Sequence, residues 1–512
     1  MILEMFFWLF ILELFGFLSL PLTHFLFHRL KDKGYGFSKI VGILFFSFIT
    51  WYLSFAVRFE ISIILSIVIL FLINLYLKKK TKVSFERKIV KVSEAIFILS
   101  FILFSFLRSF TPAVEGLEKL FDISLINGIL QSNNMPPNDP WFASYKVNYY
   151  YFGHFIVASL TKLSFLPSYI TFNLSLAMIY SILAAEIFSL SFNLTGKLKF
   201  GFFGIFLFLF ISNLLGFLQI LTFLEPKLVE FFSDKFDIKY AMTCCHDPSQ
   251  NFFRFLSDFP VWPSTRVIPN TINEFPYANF LFGEVHSHII SLPIQLLLIV
   301  TLFCIYISKK YEFFLVVFSS FLLAILYTTN SWDVPIYFIF FLLVNLIMFF
   351  EKRINFRILI FSMVFVLILF LTFSLPHILT VKKKTNFGLV NERSNIFQEL
   401  VLFPVFIFSI SYYYIKKKGN KFLFTLIFSI VVYFLTQIQL FILLLPFTIL
   451  ALNEIVKNRK TRFVNILILL GSLAMLSTEI FYLDSRYNSV FKFYYHVWIF
   501  WSISSIFIVN EL

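Results

Sequence analysis

Apolar runs of about 20 residues recur along the whole chain, and a run of that length wound as a helix crosses the roughly 30 Å hydrocarbon core of a bilayer. With 59% of the 512 residues hydrophobic and only 14% charged, little is left from which to build a water-facing surface. A spanning segment must satisfy its backbone hydrogen bonds within itself, so the fold class implied is an all-α polytopic membrane protein. Phe supplies 78 residues against 15 Gly, which reads as codon bias in an AT-rich genome rather than as a functional mark.

The net charge of +14 does not point to nucleic acid. Lys and Arg fall in short clusters between apolar runs, as they do in cytoplasmic loops. Three cysteines, of which Cys244 and Cys245 are adjacent and Cys304 sits in an apolar run, make no disulfide framework. The first apolar run carries Glu4 and Glu13, and its cations Arg29, Lys31 and Lys33 follow it. That is the reverse of a cleavable signal peptide, so this run is predicted to be a retained helix with its N-terminus outside.

Spanning helices are predicted near 3–27, 39–57, 61–77 and 92–110. The connection after the third holds Lys78, Lys79, Lys80, Lys82, Arg87, Lys88 and Lys91 against Glu86, and is cytoplasmic. From 111 to 167 the sequence is mixed: an amphipathic piece around Glu118 to Leu130, a proline-rich turn, then Asn148 to Phe165. Treating that last piece as a juxtamembrane helix rather than a span keeps every later basic cluster inside. Further helices are predicted near 168–194, 198–221, 288–308, 312–329, 334–350, 355–376, 399–415, 421–452, 463–481 and 493–510. The 421–452 run is read as a tight hairpin broken near Gln437 to Gln439. The expected total is about fifteen spans in a single integral domain, 1–512, with outer loops near 111–167, 222–287, 377–398 and 482–492. Lys382, Lys383 and Lys384 fall outside and break the charge pattern: they are harmless, or a site for something anionic.

In this topology the polar clusters face one side, as an extracytoplasmic site would require. Asp122 and Asp139 could act as general base or hold a divalent metal, or could cap loop helices, with Asp139 before Pro140 a natural turn residue. Tyr149, Tyr150, Tyr151 and His154 form an interfacial aromatic belt, a binding surface, or both, with His154 about one turn beyond Tyr150 and Tyr151. Glu284, His286 and His288 resemble a metal set, but on a helix His286 would point away from the other two. Arg266, Arg393, Arg486 and Lys492 are cations on the outer side. Guanidinium suits phosphate, and salt bridges to Glu274, Glu479 or Asp484 are the alternative. Glu274, Asn330 and Asp333 complete the candidate substrate-binding groups. Glu186 lies inside a helix, where it is functional or paired in the bundle, and Cys244-Cys245-His246-Asp247 reads as loop.

Several strings together resemble the archaeal and bacterial "YYY" membrane proteins, a domain of unknown function (DUF2298) named for its triple tyrosine. They are Glu118-Lys119-Leu120-Phe121-Asp122, PPNDPWFASYKVNYYYFGH at 136–154, STRVIPNTINEFPYANFLFGEVHSH at 264–288, TNSWDVPIY at 329–337, the stretch 388–394 around Arg393, and RYNSVFKFYYHVW at 486–498. Glu284 stands where the family has Asp and Ser287 where it has Pro. Relatives often continue beyond the last motif, so a short or truncated member is expected.

The resemblance implies a GT-C-like bundle and an inverting glycosyltransferase of the cytoplasmic membrane, taking a sugar from a polyprenyl-phosphate donor to an acceptor at the outer face. On it Asp122 is the base-like carboxylate and Asp139 the second acid, the arginines and Lys492 stabilise the departing phosphate, and a divalent metal is a candidate cofactor. A lipid or solute transporter would instead line a mid-membrane path. A non-catalytic scaffold is the third reading.

Overall fold

The computed structural model describes residues 2–225, 227–243, 261–382 and 386–512. The string Cys244 to Asp247, together with Lys383 and Lys384, lies outside them. Among the described residues the chain is helical, with nine helices long and apolar enough to cross a membrane, or up to eleven if two bent pairs each count as one span. It is a membrane protein with several spanning helices. The chain divides into two compact units, residues 1–202 with 282–383 and residues 203–281 with 384–512.

The first unit opens with α1 (Ile2–Leu18) and α2 (Leu20–Phe27), which meet at a 51° bend. Pro21 lies at the bend, where it lacks the N–H of a continuing helix and its ring crowds the preceding turn. There follow α3 (Ser38–Leu53), α4 (Phe59–Lys80), α5 (Arg87–Ser109), α6 (Lys119–Gln131), α7 (Phe152–Ser164) and α8 (Ser168–Thr195). Helices α6 and α7 have 13 residues each. At 1.5 Å per residue each is about 20 Å long, too short to span, and α7 is buried along nearly its whole length. Helix α8 is buried along its length, packs on α5, and ends at Gly196, whose φ of 78° closes it in the left-handed region.

One buried cation inside the bundle is paired with two carboxylates. Lys39 of α3 reaches Glu13 of α1 at 3.1 Å and Glu94 of α5 at 2.6 Å, and lies 4.4 Å from the Phe97 ring centroid. Its stem occupies the space that Gly16 leaves open, since a Cβ there would stand 2.8 Å from Lys39 Cγ. Glu186 of α8 is fully buried, and neither carboxyl oxygen has a hydrogen-bond partner among the described residues.

In the second unit the helix Pro404–Thr436 is broken at Gly419, whose φ and ψ of 12° and −88° are not helical, and it ends at Gln437 with φ 59°. The next helix is Leu440–Lys457, so the break expected near Gln437 to Gln439 is there. Two strands interrupt the all-helical pattern. β1 (Phe387–Leu389) pairs antiparallel with β2 (Phe481–Leu483), Gly388 opposite Tyr482, joining the loops read as 377–398 and 482–492. The last helix starts at Arg486 rather than near 493, because Ser485 Oγ accepts from Asn488 N–H at 3.2 Å and caps it. Arg486 and Lys492 are therefore helical residues, not loop.

Candidate functional site

Asp122 stands in the first turn of α6, His154 is the third residue of α7, and His286 is the N-cap of the helix Ser287–Ile307. Three helix starts thus converge in the first unit, and their positive ends favour a carboxylate between them. Gly153 allows the approach: a Cβ there would lie 3.0 Å from Thr329 Cγ2 and 3.2 Å from Ile290 Cδ1.

Asp122 and His154 are wholly buried. His154 Nε2 lies 2.9 Å from Asp122 Oδ1 and donates to it, and His286 Nδ1 lies 3.0 Å from the same oxygen. His286 Nδ1 is also 2.9 Å from Glu118 Oε2, so its one N–H stands between two carboxylates. With the proton on Nδ1, the lone pair of Nε2 faces the Tyr149 hydroxyl at 3.5 Å. Burial works to raise the Asp122 carboxyl, but His286 and the hydrogen bonds from both histidines outweigh it, and the group is held below its ordinary 3.8. Burial pushes the Tyr149 phenol up, with Tyr150 adding to the effect.

Residues 284–286 are not helical, and His286 itself has extended backbone dihedrals, φ −81° and ψ 154°. Glu284 and His286 both meet the start of α6, where Glu284 Oε1 accepts the Glu118 N–H at 3.1 Å. The helical spacing expected for this string would have separated them. Among the described residues no group of three or more His, Cys, Asp and Glu side chains could hold a metal ion. Glu284, His286 and His288 do not form a ligand set, although the His286 and His288 rings are 5.3 Å apart.

The three tyrosines part company because the helix begins only at Phe152. Tyr149 joins the histidines, its ring tilted 33° against that of Tyr150 with centroids 4.0 Å apart. Tyr151 is fully buried and accepts from Trp51 Nε1 at 3.2 Å. Asp139 is not in the cluster: its Oδ1 accepts from Trp141 N at 2.8 Å and Phe142 N at 3.0 Å, which is the turn role. Asn330 and Asp333 belong to a buried network in which Asn330 Nδ2 and Gln295 Nε2 donate to Asp333, and Tyr337 donates to Gln295. Glu118 was not singled out from the sequence. Its signal was its place four residues before Asp122, one helical turn away.

The remaining candidates fall in the second unit. Arg266 stacks 3.9 Å over Trp262 and stands 3.8 Å from Glu274, which also accepts from Asn279 Nδ2. Glu274 lies on the wall of a narrow crevice lined by Phe275, Phe403, Tyr494 and Trp498. Arg486 is 3.7 Å from Glu479 and donates to Ser394 Oγ at 2.9 Å, while Glu479 accepts from Ser394 N and Oγ. Arg393 is exposed and reaches the Thr436 carbonyl at 3.3 Å. Lys492 is buried beside the Phe491 ring. Glu399, buried in the same unit, accepts from the Tyr494 hydroxyl.

No curated protein and no solved structure matches the chain. The family model for an uncharacterized membrane protein (DUF2298) matches residues 44–501, nearly the whole length, and the chain belongs to that family.

Proposed function

We propose that the protein is a transferase of GT-C type, with about fifteen spans, moving a sugar from a polyprenyl-phosphate donor to an acceptor hydroxyl at the outer face of the cytoplasmic membrane. The observation that carries this reading is the buried Asp122 carboxylate shared by His154 and His286. Asp122 has no solvent access, so it works through His286 rather than on substrate directly. It holds the Nδ1 proton and the ring orientation, leaving Nε2 to take the proton of the acceptor hydroxyl. The acceptor oxygen then bonds to the anomeric carbon as the bond from that carbon to the phosphate oxygen breaks, and the phosphate leaves with the electron pair. No step is assigned to a metal.

The test is transfer from a radiolabelled polyprenyl-phosphate sugar by the purified full chain. Loss of a positioned general base lowers the rate about 10²- to 10⁴-fold, the fall expected for Asp122→Asn and His286→Gln. Asp139→Asn, which loosens a turn, is expected to change it little. No transfer by the wild type, or an unchanged rate in Asp122→Asn, would sink the reading. A transport reading draws on one observation, the unpartnered Glu186 in α8. On that reading Glu186→Gln would abolish flux in reconstituted vesicles and leave sugar transfer alone.

A further inference from the structure

The four cations singled out from the sequence as phosphate ligands lie in the second unit, and Arg266 and Arg486 face carboxylates there. The unit that holds Asp122 has a different candidate. Arg108, in the last turn of α5, is 5% exposed, yet its hydrogen bonds go only to neutral groups. Nε and Nη2 both donate to Asn173 Oδ1, at 3.1 and 2.8 Å, and Nη1 donates to Thr111 Oγ1 at 3.2 Å. A guanidinium has five N–H donors, so donors remain after these three bonds. A buried charge without a counter-charge is costly, and proteins seldom keep one unless something neutralises it.

A second observation is independent of the first. Lys119, in the first turn of α6, is half-buried and close enough to Arg108 to be disfavoured by it: burial first, then the Arg108 charge, lowers the ammonium from its usual value, with Glu284 and Glu115 opposing from a distance. No carboxylate lies within ion-pair range of either cation among the described residues. Gly283 packs on Arg108 and its neighbour Glu284 accepts the Glu118 N–H at 3.1 Å, so Arg108 lies near the start of α6 that carries Lys119, and the N-terminal end of that helix adds its own positive field. Gly283, where φ is 73°, makes room for the guanidinium itself: a Cβ there would stand 2.5 Å from Arg108 Nη1. Lys119 is three residues before Asp122, on the same face of α6.

We propose that Arg108, with Lys119 beside it, is an anion site that takes a phosphate or phosphodiester group. Asn173 and Thr111 fix the plane of the guanidinium, and its free edge meets the phosphate oxygens. The site supplies the phosphate-holding group of the transfer reading, but binding can be measured without transfer.

The experiment uses the full chain in neutral detergent and titrates inorganic phosphate, farnesyl phosphate and farnesol by calorimetry. Farnesyl phosphate is expected to bind and farnesol not to. Hydrogen bonds to a charged group contribute enough that Arg108→Gln should weaken binding about ten- to a hundred-fold. Lys119→Gln should weaken it several-fold, and the exposed Lys88→Gln should leave it unchanged. Inorganic phosphate binding as tightly as farnesyl phosphate identifies a free phosphate as the ligand, and tighter farnesyl phosphate identifies a lipid phosphate; both uphold the site. Failure of both anions to bind wild type, or unchanged affinity in Arg108→Gln, overturns it. Should Arg108→Gln not fold, unchanged affinity in Lys119→Gln overturns it instead. Phosphate binding in a protein with no sugar transfer keeps this site and removes the transferase reading. Transfer and phosphate affinity both unaltered in Arg108→Gln would do the reverse.

Discussion

Replacing Asp122 with Asn keeps the shape of the side chain and removes its charge. The amide oxygen can still accept from His154 Nε2 and His286 Nδ1, so the change is from two charge-assisted hydrogen bonds to two neutral ones. Bonds to a charged group are worth about 1.5–3 kcal/mol and neutral ones about 0.5–1.5, so the pair loses on the order of 1–3 kcal/mol. Relief from burying a charge works the other way. The carboxyl is nevertheless held below its ordinary 3.8, so in the folded state its partners outweigh burial and the sign is destabilising. The pH dependence follows the same sign. A depressed carboxylate contributes fully above 3.8, and that contribution is lost as pH falls through the folded value. Asp122→Asn should therefore unfold more readily than wild type at pH 7 and lack this part of the acid limb. Asp122→Ala, which leaves both histidines facing a void with their N–H groups unsatisfied, should lose more than Asp122→Asn. Denaturant unfolding in detergent, followed by tryptophan fluorescence from pH 7 downward, reads both. Equal stability of Asp122→Asn and wild type at pH 7, or an unchanged acid limb, would refute the reasoning.

Glu399 should titrate in the opposite sense. Burial pushes its carboxyl from 4.5 up to about 8, with the Tyr494 bond opposing, so its contribution is complete below 4.5 and is lost as pH rises through about 8. At about 1.4 kcal/mol per tenfold change, the full loss is at most on the order of 5 kcal/mol; Glu399→Gln, which still accepts from Tyr494, should abolish the alkaline decline seen in unfolding at pH 5 and pH 9. In the spanning bundle, Lys39→Met leaves Glu13 and Glu94 without their cation and should cost about 3–5 kcal/mol in detergent unfolding. Adding Glu13→Gln and Glu94→Gln should restore most of it, and no recovery in the triple variant would mean that packing, not charge, sets the loss.

The spans were legible because lipid imposes one requirement at every residue, and a run of apolar side chains of sufficient length answers it. The charge pattern set the 148–165 piece apart from the spans, where length alone did not. What hydropathy could not supply was the start of a helix, which depends on a cap rather than on an apolar face: Ser485 moved Arg486 and Lys492 into a helix, and His286 as N-cap left Glu284 outside the helix. That second displacement altered the chemistry read from the site. A helical Glu284-Val285-His286-Ser287-His288 pairs Glu284 with His288 and suggests a metal, whereas the observed form turns His286 toward Asp122 and Glu118. Asp122 and Asp139 likewise looked equivalent, since composition cannot tell a carboxylate buried against two imidazoles from one accepting two backbone N–H groups of its own turn. The cations read differently for a related reason. In the sequence Arg266 and Arg486 stand out because the positive-inside pattern does not explain them, while nothing singles out Arg108 at the end of a spanning helix. Its meaning lies in what surrounds it, an asparagine and a threonine where a carboxylate would be expected, and only the folded chain shows that.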